Sequence, residues 1–117
     1  MTDQTVTFEV ASLAKKAGFD WETTHAYVKC VNLKTELYTQ WHNKHDHATS
    51  APTQSLLQRW LREKDIHIVV EYLTLQNVYQ AGVKYKTKIG WQDTFCPPGD
   101  TYEGALEAAL KAALELL

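Results

Sequence analysis

A chain of 117 residues with 44% hydrophobic positions and a formal charge of −2 is the size of one ordinary domain and can bury a core unaided. That charge gives no global argument for a polyanion-binding protein. No window approaches the roughly 18 apolar residues of a membrane span. Met1 to Val6 lacks the cationic start and apolar run of a secretory leader, so a cytoplasmic protein with a single α+β domain over 1–117 is expected. Cys30 and Cys96 are far apart and form no C-x-x-C pair; they read as two free thiols, with one disulfide left open.

The N-terminal segment is helical in rhythm. Val6, Val10, Leu13 and Ala17 recur on one face, which predicts an amphipathic helix from about Thr7 to Ala17. Glu9 lies early and Lys15 and Lys16 late, as the macrodipole favours, and Gly18 stands where a left-handed cap is wanted. Phe19 and Trp21 are expected to fold back onto that helix as apolar anchors. The stretch from Phe8 to Thr24 also resembles the first half of a helix-turn-helix, with Ala14 and Gly18 at the packing and turn positions, although Asp20 and Glu22 would set acid near DNA.

Between residues 24 and 41 the alternation changes register: Tyr27, Val31, Leu33 and Leu37 are odd, Val28, Cys30 and Tyr38 even. Two short strands joined near Asn32 account for the switch, and a helix from Thr35 to Trp41 is the alternative. His42 to Ser50 is polar or small and reads as an exposed loop.

The central stretch, residues 51 to 73, carries the clearest signal. Leu56, Leu57, Trp60 and Leu61 line one helical face after the start signals Ser50, Pro52 and Thr53, while Gln58, Arg59, Arg62 and Glu63 fall opposite. The period then changes at Asp65. Ile66, Ile68, Val70 and Tyr72 alternate with His67, Val69, Glu71 and Leu73, which predicts a strand, and its two-sided apolarity suggests a central position in the sheet. The run from Pro52 to Ile68, together with TYEGALEAAL from Thr101, is similar to a family of small uncharacterised proteins from gut anaerobes and their phages. The resemblance implies a mobile-element setting and a soluble domain, and carries no activity.

After a turn at Gln76 and Asn77, Tyr79, Ala81, Val83, Tyr85 and Ile89 share one strand face, and Gly82, Lys84, Lys86 and Lys88 the other, which predicts an antiparallel hairpin with a solvated lysine face. Gly90 to Gly99 reads as a loop. Asp100 or Thr101 caps a last helix, with Glu103 placed for a capping box and Tyr102, Leu106, Leu110, Ala113 and Leu117 as its buried stripe. Leu114 and Leu116 widen that stripe toward another chain. The expected fold is therefore α+β, an antiparallel sheet of about four strands with three helices on one face, in the order α-β-β-α-β-β-α.

Three kinds of chemistry can be read from the residues. His42, His45 and His47, with Asp46, are donors that zinc or nickel would take, against the plainer reading of a solvated loop whose spacing fits no zinc signature. Charge is uneven, with six Lys/Arg against three Asp/Glu over residues 53–91 and one against five after them. Arg59, Arg62, Lys84, Lys86 and Lys88 form a basic helix and strand face that could track a phosphate backbone; lysines on a strand also guard against edge pairing. His67 with Glu71, and Cys30 with His25, are nominal acid-base and thiol-imidazole pairs. No catalytic residue set and no cofactor motif emerges. The expected role is that of a non-catalytic accessory or interaction domain with a protein partner or a second copy, the alternative being a nucleic-acid-binding module.

Overall fold

The computed structural model describes residues 4–21, 23, 25–29, 35–39 and 48–117. It is an α+β structure whose chain gathers into two compact units, Met1–Ser55 and Leu56–Leu117.

In the first unit, α1 (Phe8–Lys16) is followed by β1 (His25–Lys29), β2 (Thr35–Thr39) and β3 (Ala48–Ser50), which form an antiparallel sheet in the order β2-β1-β3. The hydroxyl of Thr7 caps α1 by accepting from the Val10 N–H at 3.3 Å. At the other end Gly18, with φ of 96°, donates to Lys15 O, and Phe19 donates to Ala14 O. Those two bonds make a Schellman cap, and they seat Phe19 at 1% exposure with its ring centroid 6.4 Å from that of Trp21. Residues 25–29 are extended, so no second helix follows the turn and the helix-turn-helix likeness ends there.

The strand pair expected around Asn32 forms, with His25 opposite Thr39 and Lys29 opposite Thr35, in place of the alternative helix. Part of the predicted 42–50 loop is instead β3, which pairs with β1; residues 42–47 lie outside the described residues. Polar Thr49 and Ser50 carry no apolar alternation, so nothing in the pattern marks that strand. The segment around Val6 runs against 52–54, with Val6 N–H donating to Pro52 O and Gln54 N–H to Gln4 O. Tyr27 clamps the same segment, its hydroxyl donating to Val6 O at 2.8 Å and its ring standing edge-on to Phe8 at 5.5 Å.

Helix α2 (Gln54–Arg62) leads into the second unit, where Leu57, Trp60 and Leu61 are buried and Arg59 and Arg62 exposed, as the face predicts. The switch to strand takes three residues. Lys64 and Asp65 donate to Leu61 and Arg62 carbonyls, tightening the last turn, and Asp65 takes φ of 60°, a left-handed conformation that Asp tolerates better than most residues. β4 (Ile66–Leu73) then pairs antiparallel with β5 (Val78–Thr87), and β5 with β6 (Gly90–Phe95). The order β4-β5-β6 makes β5 central, which corrects the expectation that β4 would be. β4 is apolar on both sides because Val69 faces water at 51% exposure, not because both faces are covered.

The predicted Gly90 to Gly99 loop is likewise corrected: its first half is strand β6, and Gly90, with φ of 120°, supplies the left-handed position that closes the hairpin. Lys88 and Ile89 sit in that turn, Ile89 at 89% exposure and so not on the buried strand face.

Helix α3 (Tyr102–Glu115) packs on β4 and β5. Thr101 is its N-cap, accepting from Gly104 N–H at 3.0 Å; Glu103 therefore occupies the second helical position, where it suits the dipole, and not the third, which a capping box uses. Its buried stripe is Ala105, Leu106, Ala109, Leu110, Ala113 and Leu114, rotated from the expected one: Tyr102 and Leu117 are exposed. Alanines alternate with Leu106, Leu110 and Leu114 on the buried face, and the last two leucines, Leu116 and Leu117, are exposed.

The backbone conformation at Asp65 sets the helix-to-strand junction, and substitution should expose that. Asp65→Val should lower the unfolding free energy by about 1–2 kcal/mol, because a β-branched side chain is strained at positive φ. Asp65→Gly should be neutral or gain up to about 1 kcal/mol. Urea unfolding compares them, and equal losses in both variants would show that the carboxylate, not the dihedral angle, matters.

Candidate interaction face on the second sheet

α3 packs on one face of β4 and β5, and strand parity decides what lies on the other face of the sheet. Ile66, Ile68, Ala81 and Val83 are buried under the helix side. His67, Val69 and Glu71 on β4, Gln80, Gly82, Lys84 and Lys86 on β5, and Trp91, Asp93 and Phe95 on β6 share the open face. On β6 the usual polarity is inverted. The inward positions are Gln92 and Thr94, while Trp91 and Phe95 stand in water at 55% and 71% exposure.

Gly82 shapes the middle of this face. It lies opposite Phe95, and a Cβ there would come within 3.3 Å of the Phe95 ring, so the missing side chain is what lets the ring lean across β5. Around it Val69, Glu71, Lys84, Asp93 and Phe95 border an open hollow of about 250 Å³. That volume is below the roughly 300 Å³ at which small-molecule pockets usually begin, and it suits one inserted side chain. Trp91 also reaches across β5, its ring centroid 5.6 Å from that of His67 on β4.

The predicted site residues are placed as follows. Lys84 and Lys86 are exposed on this face, but in its centre, where they guard no strand edge. Lys84 is directly opposite Asp93, and Glu71 lies on the same face opposite Gln80, so the face carries charges of both signs. Lys88 is in the β5–β6 turn, and Arg59 and Arg62 are on the exposed side of α2. His42, His45 and His47 lie outside the described residues, as does Cys30, the thiol of the pair with His25. His67 and Glu71 share a face, yet four strand residues separate them by about 13 Å, beyond direct proton transfer.

No family model, curated protein or solved structure matches the chain. The site is therefore argued from its own geometry. Trp91 and Phe95 are the functional candidates that sequence reading passed over, and alternation over Trp91, Asp93 and Phe95 was the available signal; Pro97 and Pro98 masked it as loop. No helix among the described residues is long and apolar enough to cross a membrane.

Cys96, next after β6, is a free thiol at 6% exposure, and burial pushes its pKa above the ordinary 9.0. The neutral thiol is the favoured native form, so its contribution to stability is complete below that ordinary value and is lost as pH rises through the higher native one. Iodoacetamide at neutral pH should alkylate Cys96 slowly in the folded chain and readily in urea, as read by peptide mapping. Rapid labelling of the folded chain would contradict its burial.

Proposed function

We propose that the chain is a non-catalytic protein-interaction module, accessory to a mobile genetic element as its resemblance implies, and that the open face of the second sheet is its binding surface. The inverted polarity of β6 carries this reading. Trp91 and Phe95 remain 55% and 71% exposed even after their contacts with His67 and Gly82, so most of their apolar surface is left for a partner to cover. Exposed aromatic residues beside a hollow, on a face that also carries Lys84, Asp93 and Glu71, have the make-up of a protein interface. The carboxylates of Glu71 and Asp93 favour a protein partner over a polyanion.

The second reading is a single-stranded nucleic acid stacked on Trp91 and Phe95, because Lys84 and Lys86 share their face. It differs in its salt response: retention on immobilised oligonucleotide should fall steeply with salt and vanish in the Lys84→Gln, Lys86→Gln, Lys88→Gln variant.

For the protein-interaction reading, a photo-crosslinking residue at Phe95 in the native host cell should capture a discrete protein, and Trp91→Ser should abolish the capture. Capture no greater than from the same probe at exposed Glu115 would overturn it. The Trp91→Ser, Phe95→Ser double variant should keep its thermal midpoint within a few degrees, about 1 kcal/mol or less, since both rings are largely solvated. A large drop would make them structural.

A further inference from the structure

We infer that the outer edge of β6 binds an extended segment of a partner protein, laid antiparallel, with a basic residue opposite Asp93 and apolar residues opposite Trp91 and Phe95. This rests on the interaction reading above and adds the backbone that does the binding and the character of what is bound.

The phase of the ladder fixes which backbone groups are left over. Cys96 N–H donates to Ala81 O at 2.9 Å, and Tyr79 and Gly99 exchange both bonds at 2.8 Å, so the odd residues of β5 turn their polar groups toward β6. Gln92 and Thr94, opposite Tyr85 and Val83, receive them. Alternation then directs the N–H and C=O of Trp91, Asp93 and Phe95 outward. Among the described residues, none of these three makes a further hydrogen bond.

Parts of the sheet's remaining perimeter are treated differently. On the opposite edge Gln58 donates to Ile68 O at 3.2 Å, so an α2 side chain occupies one of β4's outward acceptors. Below Phe95, three steps from Cys96 to Gly99 oppose two from Ala81 to Tyr79, a bulge filled by Pro97 and Pro98, which have no N–H to offer. The short stretch from Trp91 to Phe95 stays open.

Charge and register then choose the occupant. In an added antiparallel strand, the residues hydrogen-bonded to Trp91, Asp93 and Phe95 put their side chains on the same open face. A cation opposite Asp93 and apolar groups opposite the two rings make favourable cross-strand pairs. A second copy of β6 fits badly. The register that sets Trp91 against Phe95 across the two-fold also sets Asp93 against Asp93, like charges directly opposite. Sliding by two residues pairs a ring with Asp93 and runs the strand into the Ile89 turn or onto Pro97. The pattern wanted is apolar-polar-basic-polar-apolar, in the manner of strand addition to a sheet edge.

The probe is the peptide Thr-Leu-Thr-Lys-Thr-Leu-Thr, with its glutamate-centred counterpart, titrated into the full chain and followed by amide NMR. The lysine peptide should shift and protect the amides of Trp91, Asp93 and Phe95, and should bind on the order of fivefold more tightly than the glutamate peptide. Asp93→Lys should reverse that preference. Asp93→Pro, which removes only an outward N–H, should abolish binding while the β5–β6 ladder persists. Equal affinity for the two peptides, shifts elsewhere, or no binding by either would overturn the inference. If edge pairing fails while crosslinking at Phe95 still captures a Trp91-dependent partner, the face reading stands and the edge does not; if both fail, both fall. Oligonucleotide that shifts Lys84 and Lys86 in place of the β6 amides would assign the face to nucleic acid.

Discussion

The second unit is governed by a three-stranded sheet that has a helix packed on one of its faces. α3 lies on β4 and β5 with a stripe of Ala105, Ala109 and Ala113 between Leu106, Leu110 and Leu114, and the alanines let it come close. Each buried leucine contributes about 1.5–3 kcal/mol, so this single contact layer supplies most of what holds the sheet flat against the helix. The residues of the other parity are half-buried or exposed, and Val69, Glu71, Lys84, Lys86, Trp91, Asp93 and Phe95 among them stand in water. Their identity is less bound by the demands of folding and more open to the demands of binding.

That freedom is used unevenly across the three strands. On β5 the outward row is Gln80, Gly82, Lys84 and Lys86, an ordinary solvated row interrupted by one glycine. On β6 the outward row is aromatic at both ends and acidic in the middle. A hydrophobic ring exposed on a strand forgoes its burial energy and adds an aggregation hazard, so its presence beside a free backbone edge argues for a partner that covers it. Asp93 between the rings works against the nearest unwanted partner, a second copy of the same strand.

Legibility in the sequence followed covered surfaces. Where a face is buried, the pattern was plain: Val10 and Ala14 on α1, Leu57 and Leu61 on α2, and Ala81 and Val83 on β5 all sit where periodicity puts them, and the change of period at Asp65 coincides with its left-handed dihedral. Where no face is buried, the rule that assigns strands has nothing to read. β3 is too short and polar to alternate, and β6 alternates with its apolar side outward, so both were read as loop. The two-sided apolarity of β4 misled in the same way, because exposed Val69 imitates a core residue. In helix α3 the expected Leu106, Leu110 and Ala113 are buried, while Tyr102 and Leu117 are exposed and Ala105 and Ala109 complete the contact in their place.

The basic cluster loses weight as a functional signal once pairing is known. Arg59 and Arg62 belong to a helix, Lys88 to a turn, and Lys84 has Asp93 across from it, a neighbour nine positions away that no local reading of the chain could supply. The binding candidate that replaces it arises from the same fact: the register that sets Asp93 opposite Lys84 also sets Phe95 over Gly82 and turns the polar groups of Trp91, Asp93 and Phe95 outward. The same ladder phase leaves the Trp91 to Phe95 edge of β6 for a strand to join, above two prolines that offer no N–H, and the carboxylate at its centre selects for a cation.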